Sequence, residues 1–223
     1  MRRIFRNNGL SIVLFSLFFV TLVAGQTVTG HLQHNEDKRE HGGQVLSFIE
    51  YLGSNHFLEA TMENWESEFL QMFAFVILTT FLFQKGSAES KDPDKTEKVD
   101  KDASKGRIKK DAPWPVRKGG FVLKIYENSL SLAFLLLFFL SLLLHAVGGA
   151  GEYNDDQIEH GKAERVTVVE YVGTSRFWFE SFQNWQSEFL AVGSMVVLSI
   201  FLRQRGSAES KPVDSPHSQT GKG

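Results

Sequence analysis

Four apolar windows dominate this chain: GLSIVLFSLFFVTLVAG (9–25), FLQMFAFVILTTFLF (69–83), SLSLAFLLLFFLSLLLHAV (129–147) and FLAVGSMVVLSIFL (189–202). Nearly all the charge lies between them. A bilayer imposes this segregation, because about 20 mostly apolar residues cross the hydrocarbon while ionised groups stay outside it. The third window holds twelve Leu or Phe side chains between Leu130 and Leu144. At the bilayer centre these favour insertion by roughly 4–7 kcal/mol. The second and fourth windows are short, but each reaches span length if its helix runs from Trp65 to Gln84, or from Trp185 to Gln204. Twenty residues make about 30 Å of helix.

The windows belong to an internal duplication. NGLS (8–11) matches NSLS (128–131), NEDKREHG (35–42) matches NDDQIEHG (154–161), and EYLG (50–53) matches EYVG (170–173). NWESEFL (64–70) matches NWQSEFL (184–190), and GSAESK recurs at 86–91 and 206–211. The basic, apolar and small-residue order of MRRIFRNNGLSIVLFSLFFVTLVAGQ also fits a secretory signal. Its twin lies mid-chain, so the window reads more simply as a retained span.

Two spans per unit give both units the same orientation, with a pseudo-twofold axis along the membrane normal. Arg2, Arg3 and Arg6 precede the first span, and twelve Lys or Arg lie between Lys85 and Lys124. The outer segments carry only Lys38, Arg39, Lys162, Arg165 and Arg176 as Lys or Arg. Positive-inside asymmetry therefore predicts cytoplasmic termini and a cytoplasmic linker. The expected fold is all-α: an integral membrane four-helix bundle made of two tandem parallel-repeat transmembrane hairpins. Residues 1–91 form the first repeat, with spans at about 9–30 and 65–84 and an acidic outer segment at 31–64. Residues 92–115 form a charged linker, predicted disordered because it buries too little to offset chain entropy. Residues 116–211 form the second repeat, with spans at about 128–147 and 185–204 and an outer segment at 148–184. Residues 212–223 are a tail, also predicted disordered.

The matched heptapeptides suit span entrances. Asn64 and Asn184 can cap a helix, Trp65 and Trp185 anchor at headgroup depth, and Glu66, Glu68 and Glu188 favour the positive end of the helix dipole. The exits QKG and QRG place a cation and then Gly at the helix end. Alternatively each helix starts earlier, at Ser54 or Ser175. Phe57, Thr61, Asn64, Trp65 and Glu68 then share one face, as do Phe177, Ser181, Asn184, Trp185 and Glu188. Two such stripes facing each other would set Glu68 and Glu188 at an outer vestibule.

A second candidate is the repeated E-H-G. Glu36, Glu40 and His41, with Asp155, Glu159 and His160, have the donors of an oxygen-rich metal site. A solvated acidic helix capped by Asn35 or Asn154 accounts for the same residues. His145 is the one ionisable side chain well inside an apolar window and reads as interfacial. Ser16, Thr21 and Gln26 read as interhelical hydrogen-bonding groups. Cysteine is absent, which excludes disulfides and thiol chemistry.

The motifs NGLS, N-E-x-x-x-E-H-G, ENWESEFLQ, QKGSAESKDPD, YENSLSLAFLLLFFLS and FESFQNWQSEFLAVGSMVVLSIFLRQRGSAESKP cover nearly the whole chain outside the linker. In them the chain resembles an uncharacterised bacterial family of duplicated four-span membrane proteins, a domain of unknown function. The resemblance implies a multi-pass bacterial plasma (inner) membrane protein and carries over no reaction, cofactor or site residue. No nucleophile–base pair, phosphate loop or specific metal spacing points to an enzyme. The expected partners are the lipid bilayer and membrane proteins or further copies of the chain, not nucleic acid. The leading expectation is a non-enzymatic envelope scaffold or interaction subunit. The alternatives are a small cation channel or transporter formed by an oligomer, and an extracytoplasmic metal or pH sensor.

Overall fold

The computed structural model describes residues 2–106, 111–162 and 164–221, and all of its regular secondary structure is helical. In chain order the helices are α1 (Arg2–Val20), a π-helical segment (Thr21–Thr27), α2 (Val28–Glu40), α3 (Phe48–Leu52) and α4 (Asn55–Phe81). They continue with α5 (Trp114–Lys118), α6 (Gly120–Glu127), α7 (Ser129–Glu159), α8 (Val168–Val172) and α9 (Ser175–Phe201). Among the described residues, two stretches are long and apolar enough to cross a membrane, Arg2–Glu40 and Ser129–Glu159. α4 and α9 start near Ser54 and at Ser175, as the earlier-start reading requires, ten residues before the expected entrances at Trp65 and Trp185, and they end at Phe81 and Phe201, short of the expected exits at Gln84 and Gln204. The chain divides into two compact units, one of Met1–Glu63 with Leu142–Trp178 and one of Asn64–Ser141 with Phe179–Gly223.

Sequence-matched positions adopt matched local structure. Asn8 and Asn128 both leave helical geometry, at φ −130° and −112°, and both amides donate to the carbonyl four residues back, Ile4 and Lys124. Asn35 and Asn154 each clamp the returning loop with two bonds, donating to the Leu46 or Val166 carbonyl and accepting from the same residue's amide at 2.7–2.9 Å. Ser47 and Thr167 then open the short helices α3 and α8 through capping boxes with Glu50 and Glu170. The intervals Leu22–Gly30 and Leu142–Gly149 differ by one residue. The π-helical segment Thr21–Thr27 overlaps the longer interval, and its wider i→i+5 turn accommodates the extra residue.

Within the first unit the packing rests on small residues facing Tyr. A Cβ on Gly30 would overlap the Tyr51 hydroxyl, and one on the matched Gly149 would overlap the Tyr171 ring. Tyr51 and Tyr171 are buried accordingly, and Ala146, Ala150, Tyr171 and Phe177 form one core cluster. A Cβ on Gly148 would fall 2.6 Å from the Glu59 amide nitrogen, so α7 can approach the start of α4 this closely only with Gly there.

In the second unit the repeated GSAESK segments are structured turns, not simple helix stops. Gly86 and Gly206 take φ +87° and +84°, and the Ser90 and Ser210 hydroxyls accept the amides of Gln84 and Gln204. The tail, expected to be disordered, is tied down through residue 221. Lys211 is buried and donates to the carbonyls of Gly86, His217 and Gln219, while the Gly221 amide donates to Ser87. Backbone carbonyls compensate this ammonium, which the composition of the tail could not reveal. The linker likewise contains 3-10 turns at Lys98–Asp100 and Ala103–Gly106 and a Lys91–Asp100 ion pair at 2.6 Å. Residues 107–110 of the expected linker and 222–223 of the expected tail lie outside the described residues.

Among the described residues, buried polar side chains outnumber buried apolar ones two to one, while Leu10, Leu136 and Leu190 are 69–77% exposed. Water-soluble domains show the opposite distribution.

Asn154→Ala is expected to lower stability by about 1–3 kcal/mol, because it leaves the Val166 amide and carbonyl without partners. Chemical denaturation in mild detergent measures this. Lys211→Met is expected to free the tail, read as faster proteolysis after residue 211 with the helical circular dichroism unchanged.

Candidate functional site

The first unit gathers ionisable side chains from four helices, α2, α4, α7 and α9. Glu59 on α4 is 7% exposed, and its Oε1 accepts the Tyr171 hydroxyl at 3.2 Å and faces Arg176 Nη2 at 3.8 Å. Arg176, on the first turn of α9, also donates to Asp156 Oδ2 at 3.2 Å. His145 on α7 is fully buried, its ring stacked on Phe177 at 4.9 Å, and a ring nitrogen lies within 4.8 Å of a Glu59 oxygen. It is therefore a packed interior group of this unit, where the sequence places an interfacial one. Two turns further along α7, Glu152 is 8% exposed.

Lys38 on α2 pairs with Glu159 on α7 at 2.5 Å, and Asn55 at the start of α4 donates to Asp155 at 2.9 Å. His34 stands beside His56 with ring centroids 5.0 Å apart, and His56 Nδ1 meets the Tyr51 hydroxyl at 3.1 Å. Burial pushes the Glu152 carboxyl up to about 7, and the neighbouring Asp156 and Glu59 carboxylates push the same way. Burial holds His34 and His56 below the ordinary imidazole value, and in His34 the nearby His56 adds to the effect. Three side chains in one unit thus carry protonation equilibria displaced by where the fold puts them.

The residues singled out from the sequence are distributed differently. His41 and His160 approach with ring centroids 6.0 Å apart. Glu36 and Glu40 are exposed, Asp155 is engaged by Asn55 and Glu159 by Lys38. The two E-H-G histidines meet, therefore, without a shared set of free carboxylates among the described residues. In the second unit, Asn64 and Glu68 are exposed and Trp65 packs edge-on against Phe69 at 6.5 Å. Glu68 and Glu188 nonetheless lie within electrostatic range of each other, as the facing stripes require, and other contacts between α4 and α9 join stripe residues to neighbouring positions. Trp185 Nε1 donates to the buried Glu66 at 3.1 Å, and Gln71 donates to the Glu188 carbonyl at 2.9 Å. Asn184 bonds back to the Glu180 carbonyl of its own helix. Of the three groups in the first span, Gln26 reaches another helix, donating to Thr61 at 3.0 Å. Ser16 and Thr21 bond within their own helix.

Glu59 and Glu152 were not singled out from the sequence, for a clear reason. Attention to what the repeats share passes over what they do not, and the matched positions are Phe179 and Gln33. Acidic residues at positions where the twin is neutral or apolar are the signal that would have found them.

A family model described as "Domain of unknown function (DUF6766)" matches residues 1–222. The chain belongs to this family. No curated protein and no solved structure matches it.

Glu152 sets a pH window for the first unit. Its folded value is raised, so between pH 4.5 and about 7 the unfolded chain releases this proton first and stability falls as pH rises. Glu152→Gln is expected to flatten that slope, measured as melting temperature in detergent from pH 4.5 to 8.

Proposed function

We propose that the protein is a four-span membrane protein of a bacterial plasma membrane, with both termini cytoplasmic, whose outer segments form a non-enzymatic sensing cap. The spans are carried by α1, α4, α7 and α9. α4 and α9 are less apolar overall than the other two, yet Leu78, Phe81, Leu190, Val197 and Leu198 are all 47–70% exposed. Side chains of this kind suit lipid, and the buried Ser67, Ser141 and Ser181 suit helix-to-helix contact within it.

The observation that carries the sensing role is the burial of Glu59 and Glu152 outside the spans, among Lys38, Arg176, Asp156 and His34. Burying ions in this way is a poor means of holding helices together, since the desolvation cost rivals the attraction. It is an effective means of making packing depend on charge, and the titration of Glu152 near neutrality supplies a trigger. The repeats alone do not require it, because Phe179 and Gln33 serve at the matched positions. A scaffold role remains compatible with the same cap if its packing state is what a membrane partner reads.

Amide hydrogen exchange tests this reading. Protection factors corrected for the intrinsic rate at each pH are expected to differ in segments 31–63 and 148–178 between pH 8 and pH 5.5, and the difference is expected to shrink in the double variant Glu59→Gln with Glu152→Gln. A wild-type profile that is constant from pH 5 to 8 overturns it. Reporter fusions at residue 100 and residue 45 are expected on opposite sides of the membrane, and a common side overturns the topology.

One further observation favours cation passage as a second reading. Glu66 is fully buried at the start of the apolar stretch of α4, and a carboxylate at such depth is a hallmark of ion routes. Cation flux into proteoliposomes, abolished by Glu66→Gln, is the expected result under that reading.

A further inference from the structure

The first unit contains an open pocket of about 380 Å³ between α2, the α3–α4 turn and the end of α7. Four carboxylates line it, Glu50, Glu152, Asp155 and Glu159, against one ammonium, that of Lys38. Three of the four are engaged. Glu50 accepts the Ser47 amide at 2.8 Å in its capping box, Asp155 accepts Asn55, and Glu159 pairs with Lys38. The fourth is not. Glu152 is more than nine-tenths buried, lines the pocket, and takes part in no hydrogen bond or ion pair among the described residues.

We propose that this pocket binds a small organic ammonium ion, with Glu152 as its counter-ion. A mostly buried carboxylate that opens onto the pocket without a protein donor is unfavourable, and an incoming N–H donor of positive charge offsets its desolvation and its repulsion from Asp156, Glu59 and Asp155. Lys38 on Glu159 shows the same chemistry already made inside the pocket by the protein's own ammonium.

Size and lining separate an organic cation from a metal ion. About 380 Å³ falls in the range of small-molecule sites, roughly 300–1,000 Å³, and would leave a bare ion surrounded by many waters. Leu46 and Ile158 contribute aliphatic surface to the wall, which suits the methylenes of an alkylamine and offers a metal nothing. The Lys38 ammonium would also oppose a divalent ion more strongly than a singly charged one.

This inference rests on the sensing reading and names the ligand class of that cap. The test uses the full chain in mild detergent at pH 8 and constant ionic strength, titrated by calorimetry with n-butylamine, putrescine and MgCl₂. Saturable binding of the amines is expected, weakened at least tenfold by Glu152→Gln and reduced by Asp155→Asn, a rim variant that leaves the interior intact. No saturable amine binding, amine affinity unchanged in both variants, or equal binding of Mg²⁺ would overturn the proposal. The exchange response to pH without amine is a separate readout, so the sensing reading stands or falls independently of this one.

Discussion

The structure depends on one constraint, the outward display of apolar side chains and the inward retention of polar ones. Leu and Phe line the exposed surfaces of the long helices, while Ser, Thr, Gln, Glu and Lys supply most of the buried positions. Where lipid already solvates the apolar groups, no hydrophobic gain remains to drive helices together. Association must then come from close backbone approach and internal hydrogen bonds. The glycines of α7 and the Gly30–Tyr51 and Gly149–Tyr171 contacts provide the first. Gln26 to Thr61 and Trp185 to Glu66 provide the second.

Segments that match in sequence share local structure, and two of the buried carboxylates fall where the matched segments differ. Shared residues do local structural work. Asn35 and Asn154 clamp loops, Ser47 and Thr167 cap short helices, and the two GSAES turns fold back on the helix ends by the same bonds. Glu59 and Glu152 have no such duty, and their counterparts are not acidic. A buried charge present in one copy alone is free of the need to stabilise both. It is therefore where a duplicated scaffold can acquire chemistry without losing its fold.

Much of the frame was legible in the sequence because its signals are local. Helical character follows from the apolar runs and the turns at Gly86 and Gly206 from glycine placement, whereas the helix ends at Phe81 and Phe201 were not marked by the QKG and QRG segments, and the sequence left two starts open for α4 and α9. The site was far less legible. Neither the pairing of Lys38 with Glu159 nor the contact of Trp185 with Glu66 rather than Glu68 has a sequence signature. Each depends on the rotation of one helix against another, and at 100° per residue a shift of one or two positions exchanges a buried carboxylate for an exposed one. Order in the tail was hidden for a related reason. Its hydrogen bonds run from Lys211 to carbonyls and from Gly221 to Ser87, and composition is silent about such partners.

By itself the sequence determined that the chain is helical and that its apolar residues are gathered into windows, two of which lie in helical stretches long and apolar enough to cross a membrane. These properties reside in the order of residues along one chain and survive any arrangement of the helices. The tertiary structure alone decided which carboxylates lose water and which of them find a donor. Burial and hydrogen bonding are relations between segments up to 121 positions apart, as in the Lys38–Glu159 pair, and only the folded chain brings such segments within reach.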